Sequence, residues 1–391
     1  MSLLSTRGGA IANAVASIAG ASKRRPALVH AIAGQGNASE TKTRGSDSGD
    51  TAKGQFPNVS VVICTYNRAD MLPGALESLL RLSIPADWQW EVVLVDNRST
   101  DTTPQVVDHM MPGREARLRY VVEQVPGVAA ARNCGVARST GDWIAFFDDD
   151  QQADPDWLRT LVDFACANKL RVVGGAVRVI LPAGATDLPS EGRYLFGETP
   201  SLSEPIRYMG SLAPGAGNIL VHRSVFEEVG TFDESLIEGG EDTDFFRRIR
   251  TAGIDMWFQP LAVVNHLIPP NRVERAALLA AASRVGWVYC RRDYREHGRI
   301  GLMARSIARA INLTFFGSIR YGWARVARDE PALLSIRLAA ARNRTYLAAA
   351  LRMLLPQAVF DKLLSAPPVF REEFGRLRTE ALTKGPQSED L

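Results

Sequence analysis

Three carboxylates stand in a row at Asp148, Asp149 and Asp150. Ionised side chains packed so tightly repel one another unless a cation or ordered donors compensate. The residues before them, Trp143-Ile144-Ala145-Phe146-Phe147, show no polar/apolar alternation and suit a strand buried on both faces. The carboxylates therefore fall where that strand leaves its sheet, and in open α/β folds ligands bind at strand ends. The chemistry this suggests is a divalent-metal site that holds a diphosphate. A plainer alternative is a helix cap. Asp154-Pro155-Asp156-Trp157-Leu158 has the form of a helix start, with Asp154 at N-cap and Pro155 at N1. That accounts for Asp154 and leaves the triplet without a role.

Other polar groups fall at predicted strand ends. Thr65-Tyr66-Asn67-Arg68 follows one apolar run and Asp96-Asn97 another. Asp96 could accept from a base or ribose, and Arg68 and Arg132 could donate to phosphates. Taken alone, Asp96-Asn97 is also a plain turn. The segment Gly127 to Gly135 carries neither a Walker lysine nor a GxGxxG pattern. Glu241-Asp242 is a second acidic pair. It either complements a helix dipole or aims a general base into a crevice, while Asp244 and Arg248 form an i,i+4 pair. His266 ends a predicted strand. It is a satisfied histidine, or it completes a metal shell with Asp150, since imidazole and carboxylate suit Mn²⁺ as well as Zn²⁺.

The elements that must position these groups alternate. Strands are expected at Val59–Thr65, Glu91–Asp96, Leu118–Val122 and Trp143–Phe147. Helices carrying Leu72, Leu76, Leu79 and Leu80 (capped by Asp70), from Thr103, and over Val128–Ala137 lie between them. This is the rhythm of βαβ units. Further strands are predicted within Val172–Leu181, through the glycine hinge at Gly215-Ala216-Gly217-Asn218, and over Met256–Val264. A Gly/Pro-rich loop runs from Pro182 to Pro214, and helices are expected at Arg223–Val229 and Glu241–Arg250.

After His266 the sequence turns to Ala, Leu and Arg and reads as helical. Met303, Ile307, Ile311, Phe315 and Ile319 recur every fourth residue, opposite Arg305, Arg309 and Arg320. This is either a helix packed on its own domain with a solvated basic face or a helix lying on an anionic membrane surface. Residues 1–55 are small and polar and are expected to be disordered, apart from a short helix near Ile11–Ile18.

At 391 residues and 46% hydrophobic content the chain can build one large core or two modest ones. A net charge of +3 is too mild to imply nucleic acid. Cys64, Cys134, Cys166 and Cys290 have no zinc-like spacing and favour a reducing compartment. Neither an apolar run long enough to span a bilayer nor a secretory signal is evident. A cytoplasmic protein is expected.

The ordered series Val61-Val62-Ile63-Cys64-Thr65-Tyr66-Asn67-Arg68, Val95-Asp96-Asn97-Arg98-Ser99-Thr100-Asp101, Ala131-Arg132-Asn133-Cys134-Gly135, Phe147-Asp148-Asp149-Asp150, Gly217-Asn218 and Gly240-Glu241-Asp242-Thr243-Asp244 resembles the family 2 glycosyltransferases of GT-A fold. The resemblance implies an α/β, Rossmann-like sheet, mixed but mostly parallel, with helices on both faces. It would span residues 56–270, with a helical extension over 271–391.

It also implies roles. Asp96 would contact the nucleotide base. Thr65, Tyr66, Asn67, Arg68, Arg132, Asp148 and Asp149 would line the donor site. Gly217, Asn218 and Glu241 would sit on the sugar or acceptor side. Asp148, Asp150 and His266 would hold Mn²⁺ or Mg²⁺, and Asp242 would be the base of an inverting transfer. The donor would be a nucleotide-diphospho-sugar, a UDP-sugar, and the acceptor a glycan or lipid-linked glycan in surface or exopolysaccharide assembly. Work at the inner face of the cell membrane is the corresponding expectation. The alternative is a non-catalytic GT-A scaffold binding a nucleotide sugar or partner enzyme. A glycoside hydrolase would need two carboxylates bracketing the bond, which adjacent aspartates cannot do.

Overall fold

The computed structural model describes residues 57–355, apart from 115, 210–212 and 237–238. The N-terminal tract and its expected helix near Ile11 lie outside the described residues. The described chain falls in one compact unit.

Nine strands form one mixed sheet: β1 Asn58–Thr65, β2 Gln89–Asp96, β3 Leu118–Val122, β4 Trp143–Asp148, β5 Gln151–Ala153, β6 Val172–Ile180, β7 Ile206–Arg207, β8 Asn218–His222 and β9 Met256–Leu267. Their order is β3-β2-β1-β4-β8-β6-β9-β5, with β7 also on β9. Pairing is parallel from β3 through β4 and between β6 and β9. It is antiparallel at β4–β8, β6–β8, β5–β9 and β7–β9.

The apolar runs explain the layering. On β1, Val59, Val61 and Ile63 point into one core, with Leu72, Leu76 and Leu79 of α1 (Leu72–Leu80), Val107 of α2 (Thr103–Met110) and Trp157 and Leu161 of α4 (Trp157–Ala167). Val62 points the other way. There it meets Ala131 and Val136 of α3 (Val128–Arg138), Phe226 of α6 (Arg223–Val229) and Phe245 and Phe246 of α7 (Glu241–Thr251). Both faces are covered, so the strands need no polar alternation.

Two expected helix caps are corrected. The helix after the triplet begins at Trp157, not at Pro155: the backbone carbonyl of Asp154 accepts from Trp157 N at 2.9 Å, while its carboxylate accepts from Asn265 Nδ2 at 2.9 Å instead of capping. Asp70 does not cap α1 either. The carbonyl of Arg68 accepts from both Met71 N and Leu72 N at 3.0 Å. The loop after Leu181 contains the short helix α5 (Ser190–Tyr194) and β7.

The C-terminal helices are α8 (Pro270–Val273), α9 (Arg275–Ile311, broken at Gly298, φ 62°), a π-helical turn at Asn312–Phe316, α10 (Gly317–Ala327) and α11 (Glu330–Leu354). Leu278 and Ala282 of α9 and Leu338 of α11 pack with Val179, Phe196 and Ile268. The helix pair is therefore welded to the end of β6 and β9. The expectation that the periodic segment packs inward with a solvated basic face fails here. Met303, Ile307, Phe315 and Ile319 are 47–60% exposed. Arg309 instead turns inward, over the Tyr346 ring and 3.7 Å from buried Asp293.

Candidate active site

The parallel registers bring Thr65 level with Asp96, and Cys64 level with Asp148. Three strand ends thus open on one crevice. The loops above β1 and β2 are stapled together. Asn67 (φ 52°) accepts on Oδ1 from Thr100 N at 2.7 Å and donates its own N–H to Ser99 Oγ at 2.9 Å. Tyr66 is left 56% exposed at the rim. Buried Asp96 accepts from Ser99 N at 2.8 Å and from Tyr120 Oη at 2.7 Å. Each carboxylate oxygen keeps a lone pair for a further donor. Asn97 is a turn residue, accepting from Gly127 N and donating to Val125 O.

The triplet sits on the connection from β4 to β5. This short strand is not foreseen in the sequence, because Gln-Gln-Ala carries no apolar signal. Its antiparallel register sets Gln151 opposite His266, and Leu267 N donates to Asp150 O at 3.0 Å. His266 is thereby delivered to Asp150. The Asp150 carboxylate then has two guanidinium neighbours, Arg68 Nη1 at 3.1 Å and Arg272 Nη1 at 3.1 Å, and faces the imidazole Nε2 of His266 at 3.2 Å. Burial works to raise its pKa, but His266 and Arg68 overcome that and hold the carboxyl well below the usual range. Asp149 is dominated by burial, against the pull of Arg68, and is pushed up to about 7. Sequence reasoning missed Arg272. It lies on α8, over the Phe196 ring, and no spacing links it to a carboxylate 122 positions earlier.

Two features of this structure suit a bound cation. His266 Nδ1 lies 2.8 Å from the Phe196 carbonyl, which fixes Nδ1 as the protonated nitrogen. That leaves the buried Nε2 without a hydrogen-bond partner, facing Asp150. Among the described residues no three His, Cys, Asp or Glu side chains form a ready coordination shell. One carboxylate and one imidazole, completed by ligand phosphates, would suit Mn²⁺ better than Mg²⁺, which prefers oxygen ligands throughout.

Arg132 does not stand free as a phosphate donor. Its guanidinium is buried, 2.6 Å from Glu241 Oε1 and 3.8 Å from Asp148 Oδ1. It is a strut between the triplet and the first turn of α7. Glu241 is raised by burial and by the charge of Asp242. Arg132 touches both Glu241 and Asp148, so the two acidic elements lie side by side. The Asp242 carboxylate accepts from Thr243 N at 2.6 Å, and Gly240 before it has φ 92°. That left-handed turn suits glycine and re-aims the chain into the helix.

Gly217 and Asn218 part company. A Cβ at Gly217 would overlap the Asp148 carboxylate, so Gly217 borders the site. Asn218 does not. Its side chain accepts from Trp157 Nε1 at 2.7 Å and donates to the carbonyls of Ala176 and Ala262. Both amide hydrogens are used, and the side chain is built into the framework behind the site.

Comparison with known proteins bears on the family and the fold. Residues 60–230 match the family profile "Glycosyl transferase family 2". Over 322 residues the chain is 30% identical to the succinoglycan biosynthesis protein ExoM of Rhizobium meliloti, covering 81% of this chain and 96% of that one. The chain belongs to glycosyl transferase family 2. As a family 2 member it is a glycosyltransferase. It is also 30% identical over 203 residues to the glycosyltransferase AglE of Haloferax volcanii, covering 52% of this chain and 64% of AglE. A solved mannosyltransferase from Pyrobaculum calidifontis, in complex with GDP-Man and Mn²⁺, superposes with a TM-score of 0.53 at 20% identity. The match covers 77% of this chain and 88% of that one. It supports the GT-A fold expected of family 2.

Proposed function

We propose that this glycosyltransferase moves one sugar, with inversion, from a nucleotide-diphospho-sugar to a hydroxyl of a glycan or lipid-linked acceptor in exopolysaccharide assembly. ExoM, a protein named for succinoglycan biosynthesis, motivates the pathway class. A UDP-sugar is the proposed donor, by the family resemblance. The observation that carries the proposal is the gathering of Arg68, Arg272 and His266 on Asp150, with Arg132 joining Asp148 to Glu241, the residue before Asp242.

A divalent cation held by Asp150 and His266, with Asp148 nearby, would offset the charge that develops on the departing nucleoside diphosphate. Arg68 and Arg272, which crowd Asp150 here, would turn to the diphosphate oxygens and fix the donor in place. Asp96 and the stapled loops at Asn67 would face the nucleoside. Arg132 would hold Asp148 and the first turn of α7 in register. Asp242 would take the acceptor proton as the new C–O bond forms opposite the breaking one. A single base on that face suffices for inversion.

The test is Asp242→Asn. Transfer should fall on the order of 10²–10⁴-fold, while protection of the protein against heat by UDP-sugar and Mn²⁺ persists. Normal turnover in that variant would remove Asp242 from the base role.

A further inference from the structure

From Gly298 to Arg328 the chain holds six arginines and no acidic residue. Apart from buried Leu302, its large apolar side chains nevertheless lie largely at the surface. Ile300 is 84% exposed, Ile307 58%, Phe315 60%, Trp323 73% and Val326 81%. In an uninterrupted α-helix, positions four apart drift about 40° per step, which would carry such a row around the axis. The π-helical turn at Asn312–Phe316 winds an extra residue and takes back roughly a quarter-turn. The row is thus kept nearer one side over some thirty residues. No helix among the described residues is long and apolar enough to cross a membrane.

We infer that this face, built on the second half of α9, the π-turn and α10, docks on an anionic lipid surface. Aromatic and aliphatic side chains with arginine flanks are the composition of helices that lie in the headgroup region. Here Phe315 and Trp323 supply the apolar wedge, and Arg320, Arg325 and Arg328 remain at its border for lipid phosphates. A second copy of this chain is a poorer occupant. In a symmetric interface the segment would meet itself, bringing arginine against arginine with no acid on the segment to pair. The inference extends the proposed lipid-linked acceptor but rests on this face alone. Vesicle binding can therefore fail while transfer to a soluble acceptor survives, and the converse.

The experiment is co-sedimentation of the full chain with phosphatidylglycerol-rich vesicles, with pure phosphatidylcholine vesicles as the comparison. Wild type should pellet with the anionic vesicles and release at high salt. Ile307→Glu with Trp323→Glu should weaken binding roughly tenfold or more, with unchanged thermal unfolding, since both sites are exposed. Arg325→Gln with Arg328→Gln should weaken binding to anionic vesicles only. Wild type left in the supernatant would overturn the inference. So would undiminished binding by the glutamate variant, or a wild-type dimer that this variant converts to monomer.

Discussion

Asp150 is the residue on which the site turns, because two arginines and an imidazole already crowd one of its oxygens. Arg272 is the informative member of that set. It comes from a helix outside the sheet, and its partner Asp150 keeps Arg68 and His266 when it is removed, so the fold should be spared. Arg272→Ala should weaken nucleoside diphosphate binding by about 1.5–3 kcal/mol, the range for a hydrogen bond to a charged group. Titration calorimetry with UDP and Mn²⁺ checks this, and unchanged affinity would return Arg272 to a purely local role. Gly217→Ala makes a different demand. The added methyl has nowhere to go except into Asp148, so transfer should fall at least tenfold, more than the stability change accounts for. Steady-state kinetics beside a urea melt separates the two. Neither role was readable from residue type alone. Arg272 depends on where β9 ends, and Gly217 on which way Asp148 points.

At the scale of elements, legibility followed burial. β1, β2 and β4 read clearly because strands covered on both faces are continuous apolar runs, and these sequences are Val-, Ile- and Phe-rich. β5 was invisible, yet it alone gives the register that carries His266 to Asp150. The helix over 303–319 had a legible period, but periodicity defines two faces and cannot say which one meets the protein. Arg309 decided that by finding Asp293, Asn343 and Tyr346.

The end of the sheet away from the site is held by Glu91, which accepts from Ser60 Oγ, Thr140 N and Thr140 Oγ1 within 2.6–2.8 Å. Burial would raise its pKa. Thr140, Ser60 and Arg119 outweigh that and hold the carboxyl below its ordinary 4.5. A folded-state value below the unfolded one means the stabilisation is complete above the unfolded pKa. It is lost as pH falls through the folded one. Glu91→Gln should therefore cost about 1–3 kcal/mol at neutral pH, and the gap to wild type should close in acid. Urea melts at both pH values test the sign.

Across the whole molecule, the two long C-terminal helices, α9 and α11, meet the site through the aromatic residue Phe196. Phe196 packs among Leu278, Ala282 and Leu338, its carbonyl sets the His266 tautomer, and its ring lies under Arg272. Loosening the helix pair should therefore reach the cation site without any change in its ligands. Leu338→Ala removes a buried side chain from that cluster and should cost about 2–5 kcal/mol of stability. A purely structural cavity would stop there, as Leu94→Ala in the opposite half of the sheet should, at similar cost. Leu338→Ala should in addition weaken Mn²⁺-dependent protection by UDP, because Phe196 can then shift and release both His266 and Arg272 from their present aim. Equal donor affinity in the two variants, measured well below their unfolding temperatures, would mean that the helices and the site are joined in space but not in energy.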